Sequence, residues 1–200
     1  MRRRSRGGSS VTEYDFSSRR PEVDPGAFVA EGARLIGRVI LRSGASVWFN
    51  SVLRADLADI EIGPNTNIQD NCAVHIDMGL PTRLGAHVTV GHGAILHACT
   101  IEDECVIGMG AVILDGAIIR RGSIVGAGAL VPPCKSYPEG SLLLGTPAAG
   151  ARKLTEEEIS RHVGHALEYV SFWRAYKDGG IGFFRPVAGP QPSVKDGGAS

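Results

Sequence analysis

The sequence lacks net charge. Its 200 residues include 21 lysines and arginines and 21 aspartates and glutamates, so the formal net charge at pH 7 is zero with histidine neutral. Such a chain has no global field that would attract nucleic acid or an anionic membrane. We therefore expect neither nucleic acid nor a membrane among its partners.

Long apolar segments and paired cysteines are also missing. No apolar run approaches the roughly 20 residues that span a bilayer, and the N-terminus lacks the apolar region of a secretory signal. The four cysteines, Cys72, Cys99, Cys105 and Cys134, include no CxxC pair and are too sparse for a disulfide-stapled secreted domain. The sequence thus predicts a cytoplasmic protein with reduced thiols, most of them buried.

The two ends differ from the middle. Residues 1–20 contain six arginines among serine and glycine, and we expect a basic, flexible arm there, with an organelle-targeting peptide as the alternative. Residues 179–200 are rich in glycine and proline and are predicted to form a mobile tail. One main domain is expected between them.

A six-residue repeat runs from about Val29 to Val131. Its aliphatic positions are Val29, Leu35, Leu41, Val47, Leu53, Ile62, Ile68, Val74, Leu84, Val90, Leu96, Ile101, Ile107, Ile113, Ile119, Val125 and Val131. Four residues after most of them comes a small or compact residue: Ala33, Ala45, Ser51, Thr66, Cys72, Ala94, Thr100, Cys105, Ala111, Ala117, Ser123 or Ala129. Both columns are predicted to point inward.

The repeat predicts the fold. One bulky and one small inward residue suit a short strand followed by a corner, and three such units close a triangular coil of about 18 residues. Neither a helical period of 3.6 nor simple alternation explains this spacing. We predict an all-β dominated parallel β-helix of hexapeptide repeats over residues 21–150; a conventional β-barrel is the alternative.

A C-terminal helix is predicted over residues 151–178. The SLLLGTPA segment after Gly140 is expected to leave the repeat, and Thr155 with Glu158 forms a capping box. The helix from about Glu156 to Lys177 has apolar residues at three- and four-residue steps, which suits packing alongside the β-helix.

The repeat register places two histidines together. His75 and His97 each follow a repeat aliphatic residue by one position and lie one coil apart on the same face. Neighbouring strands are about 4.7 to 4.9 Å apart, so the two imidazoles are predicted to be stacked. Arg54 belongs to the same column, one coil earlier.

His92 belongs to a second column. It lies two positions after Val90, and the equivalent position one coil earlier is Asp70, with Gln69 beside it. Closed three-fold symmetry would bring one column of each chain against the other column of its neighbour. We therefore predict a homotrimer in which His92 completes a three-histidine metal site with one position open for water.

The other histidines are excluded from this site. His87 has no stacked partner in the repeat, and His162 and His165 are predicted to lie on a solvated face of the helix.

Five motifs match a known family. They are W-F-N at Trp48–Asn50, L-R-A-D at Leu53–Asp56, N-I-Q-D at Asn67–Asp70, V-H at Val74–His75 and G-H-G-A-I-L-H at Gly91–His97. Across roughly residues 21–177 the chain resembles the γ-class carbonic anhydrases and their bacterial homologues. The resemblance implies a left-handed β-helix, a homotrimer, and a divalent metal ion bound by His75, His92 and His97, with His92 from the adjacent chain.

The resemblance also implies roles for other residues. Arg54 and Asp56 would form an intersubunit ion pair, Gln69 would orient a metal-bound hydroxide, and Asp70 would hold a hydrogen bond behind the ligands. Tyr169 in the C-terminal helix would reach over the pocket; packing on the β-helix with its hydroxyl in solvent is the alternative.

The implied reaction is hydration of CO₂ to bicarbonate by a metal-bound hydroxide at trimer interfaces, followed by proton release. Imidazole ligands suit Zn²⁺, with Fe²⁺ and Co²⁺ as alternatives. The archetypal archaeal enzyme passes the proton out through glutamates. Here Leu57 follows Asp56 and the Asp77–Arg83 loop has no glutamate, so activity could be low, with Asp59 or buffer taking the proton.

Two other functions remain open. Coenzyme A-dependent acyl transfer is common among hexapeptide-repeat proteins, with a histidine as base, but gives no reason to bring three imidazoles together. A non-catalytic scaffold could keep the metal for assembly alone.

Overall fold

The structure is a computed structural model that describes residue 16 and residues 18–179, together with the backbone of residues 3–4 and 13–14. The rest of the predicted basic arm, and the predicted tail beyond Gly179, lie outside the described residues. No helix within the described part is long and apolar enough to cross a membrane.

Short strands make up most of the described chain. They are β1 (Arg3–Arg4), β2 (Glu13–Tyr14), β3 (Glu22–Val23), β4 (Phe28–Val29), β5 (Arg34–Leu41), β6 (Ser46–Val47), β7 (Val52–Ile62), β8 (Asn67–Ile68), β9 (Ala73–His75), β10 (Thr82–Leu84), β11 (Thr89–Val90), β12 (Ile95–His97), β13 (Thr100–Ile101), β14 (Val106–Ile107), β15 (Val112–Ile113), β16 (Ile118–Ile119), β17 (Ile124–Val125), β18 (Leu130–Val131), β19 (Ser141–Leu144) and β20 (Ala149–Lys153). The helix α1 (Glu156–Lys177) follows them.

Successive coils stack in parallel and form three faces. The histidine face contains β9, β12, β15, β18 and the first halves of β5 and β7. The third face contains β3, β10, β13, β16 and the second halves of β5 and β7. The helix face runs in the order β20-β19-β17-β14-β11-β8-β6-β4. The predicted fold class, a hexapeptide-repeat β-helix with a C-terminal helix, is confirmed.

The inward columns form the core, with two exceptions. From Leu41 to Val131 the aliphatic column is buried throughout, whereas Val29, at the first coil, is 37% exposed. Thr100 was predicted to point inward and does not. The step from Leu96 to Ile101 is one residue short, so Thr100 directly precedes an inward residue and points outward, while the buried Cys99 fills the core.

The SLLL segment was predicted to leave the repeat, and this was wrong. Leu142 and Leu143 pair in parallel with Ile124 and Val125, so β19 adds one further rung to the helix face. Leu143 is fully buried. The chain leaves the repeat only afterwards, when β20 pairs antiparallel with β19.

The helix begins and ends as predicted. Thr155 Oγ1 accepts a hydrogen bond from Glu158 N, and Glu158 Oε2 accepts one from Thr155 N. The Arg152 guanidinium, together with the Thr155 N–H, lowers the pKa of Glu158 to about 2. Two buried helix residues, Val170 and Trp173, pack against Trp48 of the helix face.

His162 was predicted to be solvated and is instead buried. It is 6% exposed because its face of α1 turns toward the β-helix, where its Nδ1 lies 2.9 Å from the carbonyl oxygen of Glu104. A buried imidazole needs such a partner. His165 is exposed, as predicted.

Candidate metal centre

His75 and His97 are stacked on the histidine face. They are register partners of the parallel strands β9 and β12, as the repeat predicted. Their ring centroids are 5.1 Å apart, and His75 Nδ1 lies 3.1 Å from His97 Nε2. Two imidazole nitrogens thus meet at one point on the protein surface.

The other ring nitrogen of each histidine contacts a carboxylate. His75 Nε2 lies 3.2 Å from Asp56 Oδ1, and His97 Nδ1 lies 2.5 Å from Asp115 Oδ1. A carboxylate accepts hydrogen bonds, so both carboxylates are satisfied when each neutral imidazole carries its proton on this outer nitrogen. In that tautomer the two nitrogens that face each other are both unprotonated.

This donor arrangement fits a metal ion. In that tautomer the 3.1 Å contact joins two unprotonated nitrogens, and a cation between them would relieve their repulsion. Zn–N distances of about 2.0–2.1 Å in a tetrahedral site place two ligand nitrogens about 3.3 Å apart. The observed separation is close to that value.

Asp56 lies between Arg54 and His75. Arg54 Nη1 forms an ion pair with Asp56 Oδ2 of the same chain, and His75 contacts the other oxygen. Partial burial acts to raise the pKa of Asp56, but the hydrogen bonds from Arg54 and His75 and the charge of Arg54 outweigh it and lower the pKa. The carboxylate is therefore kept ionised beside His75.

His92 lies with Asp70 at a different cavity. His92 Nδ1 is 2.8 Å from Asp70 Oδ2, and Asp70 Oδ1 accepts a hydrogen bond from the backbone N–H of Phe49 at 3.1 Å. The cavity has a volume of about 350 Å³ and is otherwise lined by aromatic side chains, Tyr169 among them. Burial, with the negative charges of Asp70 and Glu168, raises the pKa of Tyr169.

Gln69 is buried on the helix face. It is 3% exposed, and its Nε2 lies 3.4 Å from Asn67 Oδ1. The Asn67 amide in turn donates to Thr89 Oγ1 at 3.0 Å. The Nε2 end of the Gln69 amide is thus anchored through Asn67 to Thr89.

A single chain presents the candidate residues in two places. Arg54, Asp56, His75 and His97 lie together on the histidine face, whereas Asp70, His92 and Tyr169 share the aromatic cavity. Within the described residues of one chain, no three His, Cys, Asp or Glu side chains are arranged to hold a metal ion.

Asp115 was not singled out from the sequence. It lies two positions after the inward Ile113, in the coil that follows His97. The repeat register sets it opposite Ala98, one residue after His97, so the register alone does not place it against the imidazole. The contact forms at the corner around Gly116, whose φ is +67°.

The sequence is similar to those of known proteins over most of its length. A family model described as bacterial transferase hexapeptide (six repeats) matches residues 98–133, and the parallel register of the strands defines the class as a hexapeptide-repeat β-helix. It is 40% identical over 164 residues to a carbonic anhydrase of Geobacillus kaustophilus, a match that covers 82% of this chain and 90% of that protein. The chain belongs to the γ-class carbonic anhydrase family.

Two further matches show how much of each protein the similarity spans. The chain is 43% identical over 173 residues to γ carbonic anhydrase 2, mitochondrial, of Arabidopsis thaliana; the match covers 84% of this chain but only 61% of the plant protein's length. A crystal structure of a hexapeptide transferase family protein from Anaplasma phagocytophilum is 43% identical, with a TM-score of 0.75, and the match covers 78% of this chain and 92% of that one.

Proposed function

We propose that this protein catalyses the reversible hydration of CO₂ to bicarbonate with a divalent metal ion, preferably Zn²⁺, held by His75, His92 and His97. The observation that carries the proposal is the stacked pair of imidazoles, whose facing nitrogens are 3.1 Å apart while their outer nitrogens contact carboxylates. The relatives named as carbonic anhydrases support the choice of reaction.

Three imidazoles suit Zn²⁺, Fe²⁺ and Co²⁺ alike. When bound in this way, such an ion makes water acidic enough to supply a nucleophile for CO₂ near neutral pH. The chain's own residues have the tasks of holding the ligands, orienting the water and handling the proton.

Asp56 and Asp70 orient two of the ligands. Asp56 accepts from His75 Nε2–H and is itself held by Arg54, which leaves His75 Nδ1 free to bind. Asp70 accepts from His92 Nδ1–H, which leaves His92 Nε2 free to bind. Gln69, anchored through Asn67, would orient the attacking water with its amide.

Tyr169 would act on the substrate side. It lines the cavity that contains His92, and its raised pKa keeps the phenol protonated. A neutral phenol can donate a hydrogen bond to an oxygen of bicarbonate.

Proton release would go to buffer. Asp59, the acidic alternative, has its two carboxylate oxygens in ion pairs with Arg19 at 2.7 Å and Arg38 at 2.6 Å. Both of its oxygens are therefore engaged with guanidinium groups.

The histidine face also supports the homotrimer. One outward column on this face begins at Arg34 and is apolar in the coils that follow, where it comprises Val52, Ala73, Ile95, Val112 and Leu130. It runs directly beside the column of Arg54, His75 and His97. A neighbouring copy that covered it would also be positioned to bring His92 to the stacked pair.

We predict that Ile95→Glu dissociates the trimer. Ile95 is 44% exposed in the single chain, and a carboxylate there would be buried without a partner at each interface. The subunit association constant should fall by more than about 100-fold, as measured by sedimentation equilibrium. The control is Val23→Glu, equally exposed at 44% but on the third face. An Ile95→Glu protein that stays trimeric would contradict the assignment.

The function itself is tested by stopped-flow CO₂ hydration. The protein is purified anaerobically, its metal content is measured, and rates are compared before and after chelation, without coenzyme A. A chelator-sensitive rate above that of buffer supports the proposal. A metal-replete trimer with no such rate would instead be a scaffold, and activity that appeared only with coenzyme A would indicate acyl transfer.

The cytoplasmic location predicted from the sequence remains a proposal. The plant relative is named as mitochondrial, and the arginine-rich residues 1–20 leave an organelle-targeting segment as the alternative.

A further inference from the structure

Each of the three histidines contacts one aspartate through one ring nitrogen. The distances are 3.2 Å from His75 Nε2 to Asp56, 2.8 Å from His92 Nδ1 to Asp70, and 2.5 Å from His97 Nδ1 to Asp115. Asp56 and Asp70 already belong to the proposed site. Asp115 has no assigned role, although its contact with a histidine is the shortest of the three.

The backbone holds Asp115 in place. Its carbonyl oxygen accepts a hydrogen bond from Cys134 N at 2.8 Å in the next coil, and the N–H of the following residue, Gly116, donates to Ala98 O at 2.8 Å. The corner is therefore fixed to the coils above and below it. Among the described residues, the ion-pair partner of Asp115 is His97.

Without such an acceptor, His97 has an alternative that competes with metal binding. A neutral imidazole can carry its proton on either nitrogen. A proton on His97 Nε2 would be donated to His75 Nδ1, only 3.1 Å away. That hydrogen bond would occupy both nitrogens that the metal needs.

We propose that Asp115 is a positioning residue of the metal centre. By accepting from His97 Nδ1–H, it holds the ring in the tautomer that leaves Nε2 unprotonated and directs it toward His75 Nδ1. Contacts of this kind orient ligands and raise their metal affinity in other histidine sites. The inference rests on the proposed function, because it assumes that His97 is a ligand.

The test is Co²⁺ binding by the full-length protein carrying Asp115→Asn. Affinity is measured by competition with a chromophoric chelator, and the visible absorption of bound Co²⁺ reports ligand geometry. We expect affinity to fall by about 10- to 100-fold with an altered spectrum, because an amide does not hold the tautomer as a carboxylate does. Asp115→Glu should recover part of the loss.

Two controls separate positioning from stability. Glu102→Gln removes a carboxylate that pairs with Arg120 after β13 on the third face, and Co²⁺ affinity should not change. Unfolding of the metal-free proteins should be the same for wild type and Asp115→Asn. If Asp115→Asn does not fold, Asp115→Ser takes its place in the same titration.

The outcomes are distinguishable. Unchanged affinity and spectrum in Asp115→Asn, with a wild type that binds Co²⁺, would overturn only the role of Asp115. A wild type that binds no Co²⁺ would overturn the proposed metal site and this inference with it. A wild type that binds Co²⁺ but fails to hydrate CO₂ would overturn the reaction while the Asp115 effect on affinity still stood.

Discussion

Replacing His97 with alanine is expected to abolish both metal binding and CO₂ hydration while the β-helix stays folded. His97 is one of the two stacked imidazoles, and its loss leaves two of the three proposed ligands. Metal affinity should fall by more than the roughly 10- to 100-fold typical of residues behind the ligands. The fold should persist because the side chain points outward, whereas the neighbouring Leu96 fills the core.

Elemental analysis and stopped-flow hydration of the same preparation measure the two effects. The control is His165→Ala, which removes an exposed histidine of α1 and should leave metal content unchanged. Full metal occupancy in His97→Ala would rule out this residue as a ligand. Loss of metal together with retained CO₂ hydration would instead separate the reaction from the metal site.

Co-expressing two inactive variants should restore activity if the sites form between chains. His75→Ala lacks part of the stacked pair, and His92→Ala lacks the residue at the other cavity. In mixed trimers, a site between a chain that keeps the pair and a neighbour that keeps His92 is intact. With equal expression and random assembly, about one quarter of the sites should be intact, whereas either variant expressed alone should have almost none.

A second mixture provides the control. His75→Ala and His97→Ala alter the same column, which a single chain contributes whole. Every site in their mixed trimers therefore lacks a ligand, and no metal should be recovered. If the first mixture recovered none either, His92 would not be shared between chains; if both recovered metal, the division into two columns would be wrong.

The repeat made much of this site predictable. With a fixed period, counting residues is equivalent to measuring position around the coil, which is why the sequence alone predicts that His75 and His97 are partners. The ends of α1 were equally predictable, because Thr155 and Glu158 satisfy each other locally.

The repeat pattern does not determine the position of every side chain. Thr100 was misplaced because one step of the repeat is a residue short, which shifts the alternation of the strand. His162 is buried by a tertiary contact with the carbonyl of Glu104, for which no sequence spacing is a signal. Asp115 meets His97 through a corner, and the repeat pattern specifies strands better than corners.

The loop between β9 and β10 is expected to tolerate insertions. It closes on itself through a bridge between Asp77 and Leu80, and Thr82 Oγ1 fastens its far end to the carbonyl of His75. The strands on either side take their register from the coils above and below. Insertions at the exposed tip, Met78 to Leu80, should therefore leave the histidine spacing intact, which makes this loop a suitable place to graft a peptide or a reporter domain beside the stacked histidines.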